Sequence, residues 1–431
     1  MRYASLALLL AFAHGAAAQL PDGVQVLEGP FTLCVLEAPE AHEVYHGVNE
    51  LRQLPLPPKK AGGTNIEVTY DGFSGPAQLA FEFAADIWER HLESDVTIRV
   101  TASYEPLGTN VLGSAGALRV YRGFAGAAPD TWYGDALADA IAGQDFNADG
   151  FDIRARFSSN FSNWYFGLDG NPAFNQVDFV TVVLHELGHG LGFFGSANVS
   201  GGVGEYGIDT QFNQALPVIY DRFVEDPAGT PIVSDAYPNP SGVLGNLLQS
   251  GTLFWGGVTA TAVFDDARPP VYSPAAWERG SSFSHFDEDV IPTSDANALM
   301  TPRLARGEAF LNPGPLTCAL FKDIGWTLAE GCNQLVVDTE GGPLAEVFGV
   351  EPAGPNPFRD RTALRVSVDR PQAVRATLYD AVGREVTRLY DGQATGEIAL
   401  SVPGAELAPG VYTVRVEGET ASATHRVVRV R

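Results

Sequence analysis

The sequence predicts an α+β domain followed by a small all-β sandwich, and three observations lead to this fold class. Residues Gln78 to Leu92 and Asp178 to Leu191 carry apolar side chains at helical spacing. Val96 to Thr101, between them, alternates apolar and polar residues as a strand does. Beyond residue 350, short alternating segments are separated by turn signals, which is typical of a β-sandwich.

The composition limits the class of protein. The chain has 431 residues, of which 45% are hydrophobic and 18% are charged, so we expect two or three globular domains. Its formal net charge of -25 would repel a phosphate backbone, and no nucleic-acid partner is expected. No stretch after the N-terminus approaches the roughly 18 uninterrupted apolar residues of a spanning helix, so no transmembrane segment is expected.

The N-terminus predicts the compartment. A basic start at Met1-Arg2, an apolar run from Leu6 to Ala13 and the small residues Ala16-Ala17-Ala18 are the parts of a secretory signal peptide, assigned to residues 1–18. Residues 19–61 hold apolar patches between Pro-rich runs and are interpreted as a lead-in or possible pro-segment. We therefore expect an exported, soluble protein.

Disulfides persist outside the cytosol, so the three cysteines bear on the fold. Cys318 and Cys332 are close enough in sequence to pair. Cys34 is then left over, and two interpretations stay open. It is either a thiolate that caps a metal ion in a latent precursor, or a buried or alternatively paired cysteine.

Residues 62–330 form the predicted main domain. Its first helix has one apolar face, which we expect to be buried: Leu79, Phe83, Ile87 and Trp88. The second helix is apolar on most sides, as a helix in the interior would be. The segment from Gly192 to Ser282 is rich in Gly, Pro and Ser and is expected to consist mostly of loops.

The second helix carries the candidate metal ligands and the candidate general base. Residues 185–189 are His-Glu-Leu-Gly-His, and residues four apart on a helix share a face, so His185 and His189 can bind one zinc ion at about 2.0–2.1 Å. Glu186 is then placed to act as general base on a zinc-activated water. The alternative is a helix that presents a polar face to solvent.

Catalytic zinc takes three protein ligands and keeps one position open. Besides the helical pair, the histidines of the chain are His14, His42, His46, His91, His285 and His425. His285 is the best third ligand, since the others fall in the signal peptide, the lead-in, the first helix or the C-terminal sandwich. Asp287 or Glu288 could instead supply an oxygen ligand or orient the histidine.

These residues resemble the metzincin superfamily of zinc metalloproteases. Its signature is His-Glu-x-x-His-x-x-Gly-x-x-His, followed later by a turn that contains Met. The chain matches at His185, Glu186, His189 and Gly192, but Gly195 stands where the third His is expected. The chain therefore departs from the compact form of the signature.

The leishmanolysin-like branch of this superfamily departs from the compact signature in a similar way, because a long insertion there separates the Gly from the third His. His285 follows such an insertion here, and residues 298–302, Ala-Leu-Met-Thr-Pro, resemble the Met-turn. The resemblance implies a zincin-like catalytic domain of the metzincin type at residues 62–330. It also implies that Met300 supports the zinc site from beneath and that Gly192 turns the chain out of the helix.

The activity that this resemblance implies is that of a secreted zinc-dependent endopeptidase acting on protein or peptide substrates. Zinc would polarise the scissile carbonyl, and Glu186 would take a proton from the activated water and pass it to the leaving amine. Two other functions stay open. One is a catalytically inactive metal-binding surface protein or adhesin, and the other is a zinc hydrolase of a non-protein amide.

A second metal signal lies upstream of the motif helix. Residues 145–150, Asp-Phe-Asn-Ala-Asp-Gly, are the start of a calcium-binding loop, and Asp152 follows. A complete EF-hand has Glu at its twelfth position, but Arg156 stands there. The segment is either a calcium site or a solvated acidic turn.

The C-terminal part is predicted as a linker at residues 331–350 and a β-sandwich at residues 351–431, with a turn at Asp391-Gly392. Three of its segments, residues 355–358, 378–386 and 407–412, resemble the C-terminal sorting domain of type IX secretion. That resemblance implies an immunoglobulin-like sandwich recognised by the secretion machinery of a Gram-negative bacterium. A generic immunoglobulin-like accessory or carbohydrate-binding module is the alternative.

Overall fold

The computed structural model describes residues 20–21, 23–29, 34–37, 45, 56–60, 63–108, 110–209, 215–293, 295–337, 349–352, 354, 356, 358–380, 384–405, 407–408, 410–418 and 422–430. The predicted signal peptide lies outside these residues. The chain divides into two compact units, Met1–Thr339 and Glu340–Arg431.

The first unit mixes helices and strands. Its helices are α1 (Gly75–His91), α2 (Asp135–Ala142), α3 (Phe179–Gly190), α4 (Gly242–Leu248), α5 (Val258–Val263), α6 (Pro315–Ile324) and α7 (Glu330–Val337), with 3-10 turns at Tyr220–Phe223 and Ala298–Met300. Its strands are β1 (Gln25–Glu28), β2 (Cys34–Glu37), β3 (Ile66–Asp71), β4 (Leu92–Glu93), β5 (Ile98–Glu105), β6 (Val111–Ala117), β7 (Arg119–Arg122), β8 (Tyr133–Gly134), β9 (Ile153–Ser158), β10 (Trp164–Tyr165), β11 (Val177–Asp178), β12 (Asn198–Ser200), β13 (Val203–Glu205), β14 (Ile208–Asp209), β15 (Ala215–Leu216), β16 (Val224–Glu225), β17 (Leu253–Trp255), β18 (Pro270–Val271) and β19 (Thr327–Leu328). Within the described part of the chain, no helix has the length and apolar character needed to cross a membrane.

A five-stranded mixed sheet with the order β2-β6-β9-β5-β3 forms the centre of the first unit. β3, β5 and β9 run parallel to one another, β6 pairs antiparallel with β9, and β2 pairs antiparallel with β6. α1 connects β3 to β5, because parallel neighbours need a crossover. In β5, alternate side chains such as Ile98 and Val100 are buried and their neighbours are more exposed. The assignment of this unit to the metzincin type stays a prediction.

The buried face of α1 differs from the expected one. Ile87 and Trp88 are buried, but Leu79 is 60% exposed and Phe83 is only half-buried. Besides Phe81, the inward face includes four small residues that were not expected there: Ala77, Ala80, Ala84 and Ala85. Small side chains let α1 lie close to α3, where Trp88 Nε1 donates a hydrogen bond to the Leu184 carbonyl oxygen (3.0 Å).

Part of the predicted lead-in is built into the first unit. β1 pairs antiparallel with β7, and β2 pairs antiparallel with β6 at the edge of the main sheet. Leu36 in β2 is 1% exposed and belongs to the hydrophobic core. The expected boundary near residue 62 therefore does not separate the lead-in from the sheet, because β2 satisfies the free backbone groups of the β6 edge.

The predicted linker begins too early. Its first residues form α7, which packs against α6 and α1. A disulfide joins Cys318 of α6 to Cys332 of α7. Cys332, Leu335 and Val336 are buried, so the chain leaves the first unit only after them.

The second unit is all-β. Its strands are β20 (Gly349–Pro352), β21 (Arg361–Asp380), β22 (Glu385–Pro403), β23 (Gly410–Glu417) and β24 (Ser422–Arg429). They form one antiparallel sheet in the order β20-β21-β23-β24, with β22 also pairing with β21. The turn expected at Asp391-Gly392 is absent, because both residues continue β22 and pair with Arg375 and Val374. The unit has its own apolar core, which includes Leu364, Val366, Leu378, Leu400 and Val414. Its classification as immunoglobulin-like stays a prediction.

Candidate metal centre

The motif helix α3 is buried along its whole length and begins at a strong cap. Asp178 Oδ2 accepts hydrogen bonds from the backbone nitrogen of Thr181 (2.8 Å) and from its hydroxyl (2.6 Å). The cap fixes the start of the helix at Phe179, and with it the direction in which His185 and His189 project. Burial raises the pKa of the Asp178 carboxyl to about 7.

Three imidazole nitrogens converge at one point. His189 Nε2 lies 3.1 Å from His185 Nε2 and 3.2 Å from His285 Nε2, and the remaining pair is 3.3 Å apart. Two nitrogens bound to one zinc ion at tetrahedral angles are separated by about 3.3 Å, because each Zn–N distance is about 2.0–2.1 Å. The spacing of the three rings therefore fits one shared metal ion.

The other nitrogen of each ring donates to a backbone carbonyl, and these bonds fix the tautomers. His185 Nδ1 donates to Leu299 O (2.7 Å), His189 Nδ1 to Phe193 O (2.6 Å) and His285 Nδ1 to Ser281 O (2.7 Å). A carbonyl oxygen only accepts, so each Nδ1 carries the hydrogen and each Nε2 presents a lone pair. This is the arrangement by which proteins orient histidine ligands.

All three rings are held neutral. Burial lowers the pKa of His185 to about 4 and that of His285 to about 3. Burial, reinforced by its two neighbouring rings, holds the pKa of His189 well below its ordinary value. Three neutral lone pairs that face one another repel unless a cation lies between them, so the donor set fits zinc.

Glu186 lies next to this group and is fully buried. Neither of its carboxylate oxygens has a hydrogen-bond partner among the described residues. Burial raises its pKa well above the usual range, an effect that the nearby backbone amides of Ala115 and Leu36 partly offset. Its Cγ lies 3.2 Å from the position that a Cβ on Gly113 would take, so it faces strand β6. A buried carboxylate without a partner is costly unless its site uses it.

Gly192 forms the turn that follows the helix. Its φ of 122° is a conformation that residues with a side chain rarely adopt, and a Cβ there would also lie 3.1 Å from Ile324. Its backbone nitrogen donates to the His189 carbonyl oxygen (3.1 Å). The turn brings the Phe193 carbonyl back beneath the helix, where it accepts from His189 Nδ1.

Gly195, the position of the third histidine in the compact signature, has no room for a side chain. A Cβ there would lie 2.2 Å from the ring of Phe283. Its backbone nitrogen donates to Ser284 Oγ (3.1 Å) instead, 89 positions further along the chain. The chain thus leaves the centre at Gly195 and returns to it beside His285.

The alternatives for the third ligand lie elsewhere. Asp287 Oδ1 accepts from the backbone nitrogen of Asp289 (3.0 Å), and Glu288 forms an ion pair with Arg303. His91 donates through Nδ1 to the Ile87 carbonyl oxygen (2.6 Å) within α1. Of the histidines outside the motif helix, the structure brings His285 to the cluster.

Met300 lies directly beneath the motif helix. It is fully buried, and its sulfur lies 2.9 Å from where a Cβ on Gly188 would be. Its carbonyl oxygen accepts a hydrogen bond from the Phe286 backbone nitrogen (2.9 Å). The turn at Ala298–Met300 therefore holds both His185, through Leu299, and the segment after His285.

The remaining predicted site residues differ in where the structure places them. The side chain of Cys34, like His42 and His46, lies outside the described residues. In the predicted calcium loop, Asp145 pairs with Arg99 (2.6 Å) and Asp149 is exposed, while Asp152 is buried. The carbonyl partners of the three histidines were not predicted, because backbone groups leave no trace in the sequence.

Comparison with known families relates two stretches of the chain to other proteins. Residues 146–265 match a family described as SPBPB7E8-like, and this stretch includes α3. Residues 354–430 match the secretion system C-terminal sorting domain, which covers most of the second unit. The chain carries a type IX secretion sorting domain. The protein is thus exported by that system to the cell surface or the extracellular space, and its sorting domain engages the secretion machinery, as the sequence predicts.

Among solved structures, a conjugative transposon lipoprotein from Bacteroides eggerthii is similar at 14% sequence identity. The likeness covers 19% of this chain and 96% of that one, with a TM-score of 0.15, which is too low to indicate a shared fold. No curated protein matches the chain.

Proposed function

We propose that the protein is an exported zinc-dependent endopeptidase. The observation that carries this proposal is the convergence of His185, His189 and His285 on one point, with the unpaired carboxylate of Glu186 beside them. A helix with a merely structural metal has no use for a buried acid without a partner. We also propose that the first unit is a metzincin-type domain with a distant third ligand, and that the source is a Gram-negative bacterium.

The chain's own residues have separate roles in this proposal. The three Nε2 atoms bind the ion, and the carbonyls of Leu299 and Phe193 keep the motif rings in the neutral tautomer that binding needs. A zinc ion supplies Lewis-acid chemistry here, since it polarises a carbonyl group and lowers the pKa of water. Glu186 takes the proton from the attacking water and passes it to the leaving amine. Burial favours the first of these steps, because a carboxylate with a raised pKa is a stronger base and accepts the proton more readily.

The position of strand β6 beside Glu186 favours a polypeptide as the substrate. β2 already pairs antiparallel with β6, and Leu36 pairs with Gly113 next to Glu186. An extended peptide that replaces β2 can pair with β6 in the same way and gain main-chain hydrogen bonds. A pocket of about 540 Å³, lined in part by Gly195, Ser282 and Ser284, lies next to the segments that carry the ligands and offers space for a substrate side chain.

The test is zinc content and casein hydrolysis of the purified full chain. Glu186→Gln should keep one zinc per chain and lose about 10²–10⁴-fold in rate, because general acid–base catalysis is removed while the ligands remain. His285→Ala should lose zinc as well as activity. His91→Ala is the matched control, since it removes another buried histidine and should keep zinc.

Other results would contradict the proposal. A His285→Ala variant that keeps zinc and activity would show that His285 is not the third ligand. Zinc binding without cleavage of any protein would favour a metal-binding surface protein or adhesin. Cleavage of small amides but not of proteins would favour a zinc hydrolase of a non-protein amide.

A further inference from the structure

A second cluster of ligand-type side chains lies on α2 and at the start of β9. One carboxylate oxygen from each of Asp135, Asp139 and Asp152 lies within 4.8 Å of the other two. The three residues are 0%, 2% and 1% exposed. Oxygens on opposite sides of one calcium ion are about 4.6–5.2 Å apart, because each Ca–O distance is about 2.3–2.6 Å. A single ion can therefore contact all three carboxylates.

Each carboxylate is fixed through one oxygen and presents the other. The fixing bonds run from Phe146 N to Asp139 Oδ1 (3.2 Å), from Arg99 N to Asp152 Oδ2 (2.7 Å) and from Asn147 Nδ2 to Asp135 Oδ2 (2.8 Å). The remaining oxygens, Asp135 Oδ1, Asp139 Oδ2 and Asp152 Oδ1, have no hydrogen-bond partner in the described part of the chain, and neither has Asn147 Oδ1. Three buried carboxylate oxygens without partners lie together, and the amide with the unpartnered Asn147 Oδ1 is hydrogen-bonded to one of these carboxylates, which is the pattern of an oxygen-ligand set.

Among the described residues, neighbouring cations only partly balance the charge of the three carboxylates. Arg119 Nη1 lies 3.7 Å from Asp135 Oδ2, while the Arg99 guanidinium pairs with Asp145. Burial and the neighbouring carboxylates raise the pKa of Asp139 to about 8 and that of Asp152 to about 6. A divalent cation offsets the repulsion that these groups otherwise impose on the fold.

We propose that Asp135, Asp139, Asn147 and Asp152 bind a structural calcium ion. The three carboxylates and the Asn147 amide offer oxygens, which are the ligands that calcium prefers, and no histidine or cysteine among the described residues joins the carboxylate group. The protein is exported, and extracellular calcium modules work at dissociation constants of about 10⁻⁴–10⁻³ M. The site differs from a linear calcium loop because α2 supplies two of its carboxylates.

The ion connects two segments that support the end of the motif helix. Leu137 of α2 lies 3.4 Å from the Cβ position of Gly192, at the turn after α3. Ile153, next to Asp152, packs so tightly on Gly190 that a Cβ there would lie 2.5 Å away. Calcium binding therefore stabilises the part of the fold that holds α3 in place, whether or not the histidine cluster binds zinc.

The experiment measures calcium directly on the full chain. The protein is dialysed into calcium-depleted buffer that contains zinc, and bound calcium is counted by mass spectrometry after equilibrium with calcium chloride. We expect one calcium per chain and a rise in Tm on the order of 5 °C at 10 mM calcium, because the ion binds the folded state alone. Magnesium at the same concentration should give a smaller rise, since it fits such a site less well.

Two variants and a control complete the test. Asp139→Asn and Asp152→Asn should each weaken calcium binding at least tenfold and remove the calcium-dependent rise in Tm. Asp149→Asn changes an exposed carboxylate of the same loop and should behave as wild type. Wild type that binds no calcium, or whose Tm does not respond to it, would overturn the proposal. So would Asp139→Asn and Asp152→Asn variants that bind calcium as tightly as wild type.

Discussion

At the scale of single residues, Asp178 is a carboxylate whose protonation affects the stability of the fold. It caps the motif helix and is fully buried, and its pKa of about 7 lies above the value of 3.8 expected for an exposed Asp. Since the folded state holds the proton more tightly, this contribution to stability is complete below about pH 4 and is lost as the pH rises through 7.

The prediction concerns the change in unfolding free energy between pH 4.5 and 8. Asp178→Asn keeps a capping oxygen but does not titrate, so the variant should lose less stability over this range than wild type, by about 3 kcal/mol. Urea denaturation at the two pH values measures this. Asp266→Asn, which changes an exposed carboxylate, should keep the wild-type pH dependence. Equal losses in wild type and Asp178→Asn would show that Asp178 is ionised at little cost.

The residues of the candidate centre could be predicted where spacing alone places them. His185 and His189 are four apart on an apolar helix, and Glu186 follows from the same pattern. His285 could be proposed because histidines are few, but its approach to the helix depends on the path of a long segment that has no periodic pattern. The prediction that Leu79 is buried was wrong. Periodicity identifies an apolar face of a helix, but it does not show that a closely packed neighbouring helix requires small residues on the inward face.

At the scale of secondary structure, β2 covers the side of the centre where Glu186 lies. The side chain of Leu36 is buried in the core. The backbone nitrogen of Val35, also in β2, donates a hydrogen bond to the Gly280 carbonyl oxygen (3.3 Å). A substrate peptide that pairs with β6 must first displace this strand. We therefore expect the full chain to hydrolyse proteins slowly.

Weakening β2 should raise the rate. Leu36→Asp places a charge in a buried position close to the Glu186 carboxylate, so the strand should detach, and casein hydrolysis should increase at least several-fold. Glu37→Gln changes the exposed neighbour in the same strand and should leave the rate unchanged. Hydrogen exchange at residues 34–37 reports whether the strand has detached. A detached strand without faster hydrolysis would mean that β2 does not limit access.

The elements were predicted best where their pattern is local. The sequence indicates α1, α3 and β5 within a few residues of their observed ends, since helical and strand periodicity are properties of short windows. It does not indicate that β2 joins the main sheet, because strand pairing depends on distant partners. α7 was assigned to a linker for a similar reason, as its helix depends on burial against α1 and α6 and on the disulfide to Cys318.

At the scale of the whole molecule, the sorting domain and the candidate metal centre belong to different units. The second unit has its own core and the match to a sorting domain, whereas the candidate centre lies entirely in the first. Residues 351–431 also carry 11 Arg against 10 acidic residues, so the acidic balance of the chain comes from the rest. We expect the two functions to be separable.

Deletion of residues 351–431 tests this. The shortened chain should keep its zinc but remain in the cell envelope, because the secretion system no longer recognises it. Immunoblots of medium, cell-surface and periplasmic fractions measure the distribution. Full-length Glu186→Gln is the control and should be exported normally, since activity is not needed for sorting. Deleted protein that still reaches the medium would assign sorting to another part of the chain.

The hydrogen bond between Gly195 and Ser284 has a consequence for how this protein can diversify. The long segment between them starts and finishes at neighbouring points, so its length does not affect the distance between His189 and His285. Such a segment can be lengthened, shortened or exchanged in evolution while the three nitrogens keep their places, since loop closure costs little more as a loop grows. Relatives with very different segments could then differ in what they recognise and share the same chemistry.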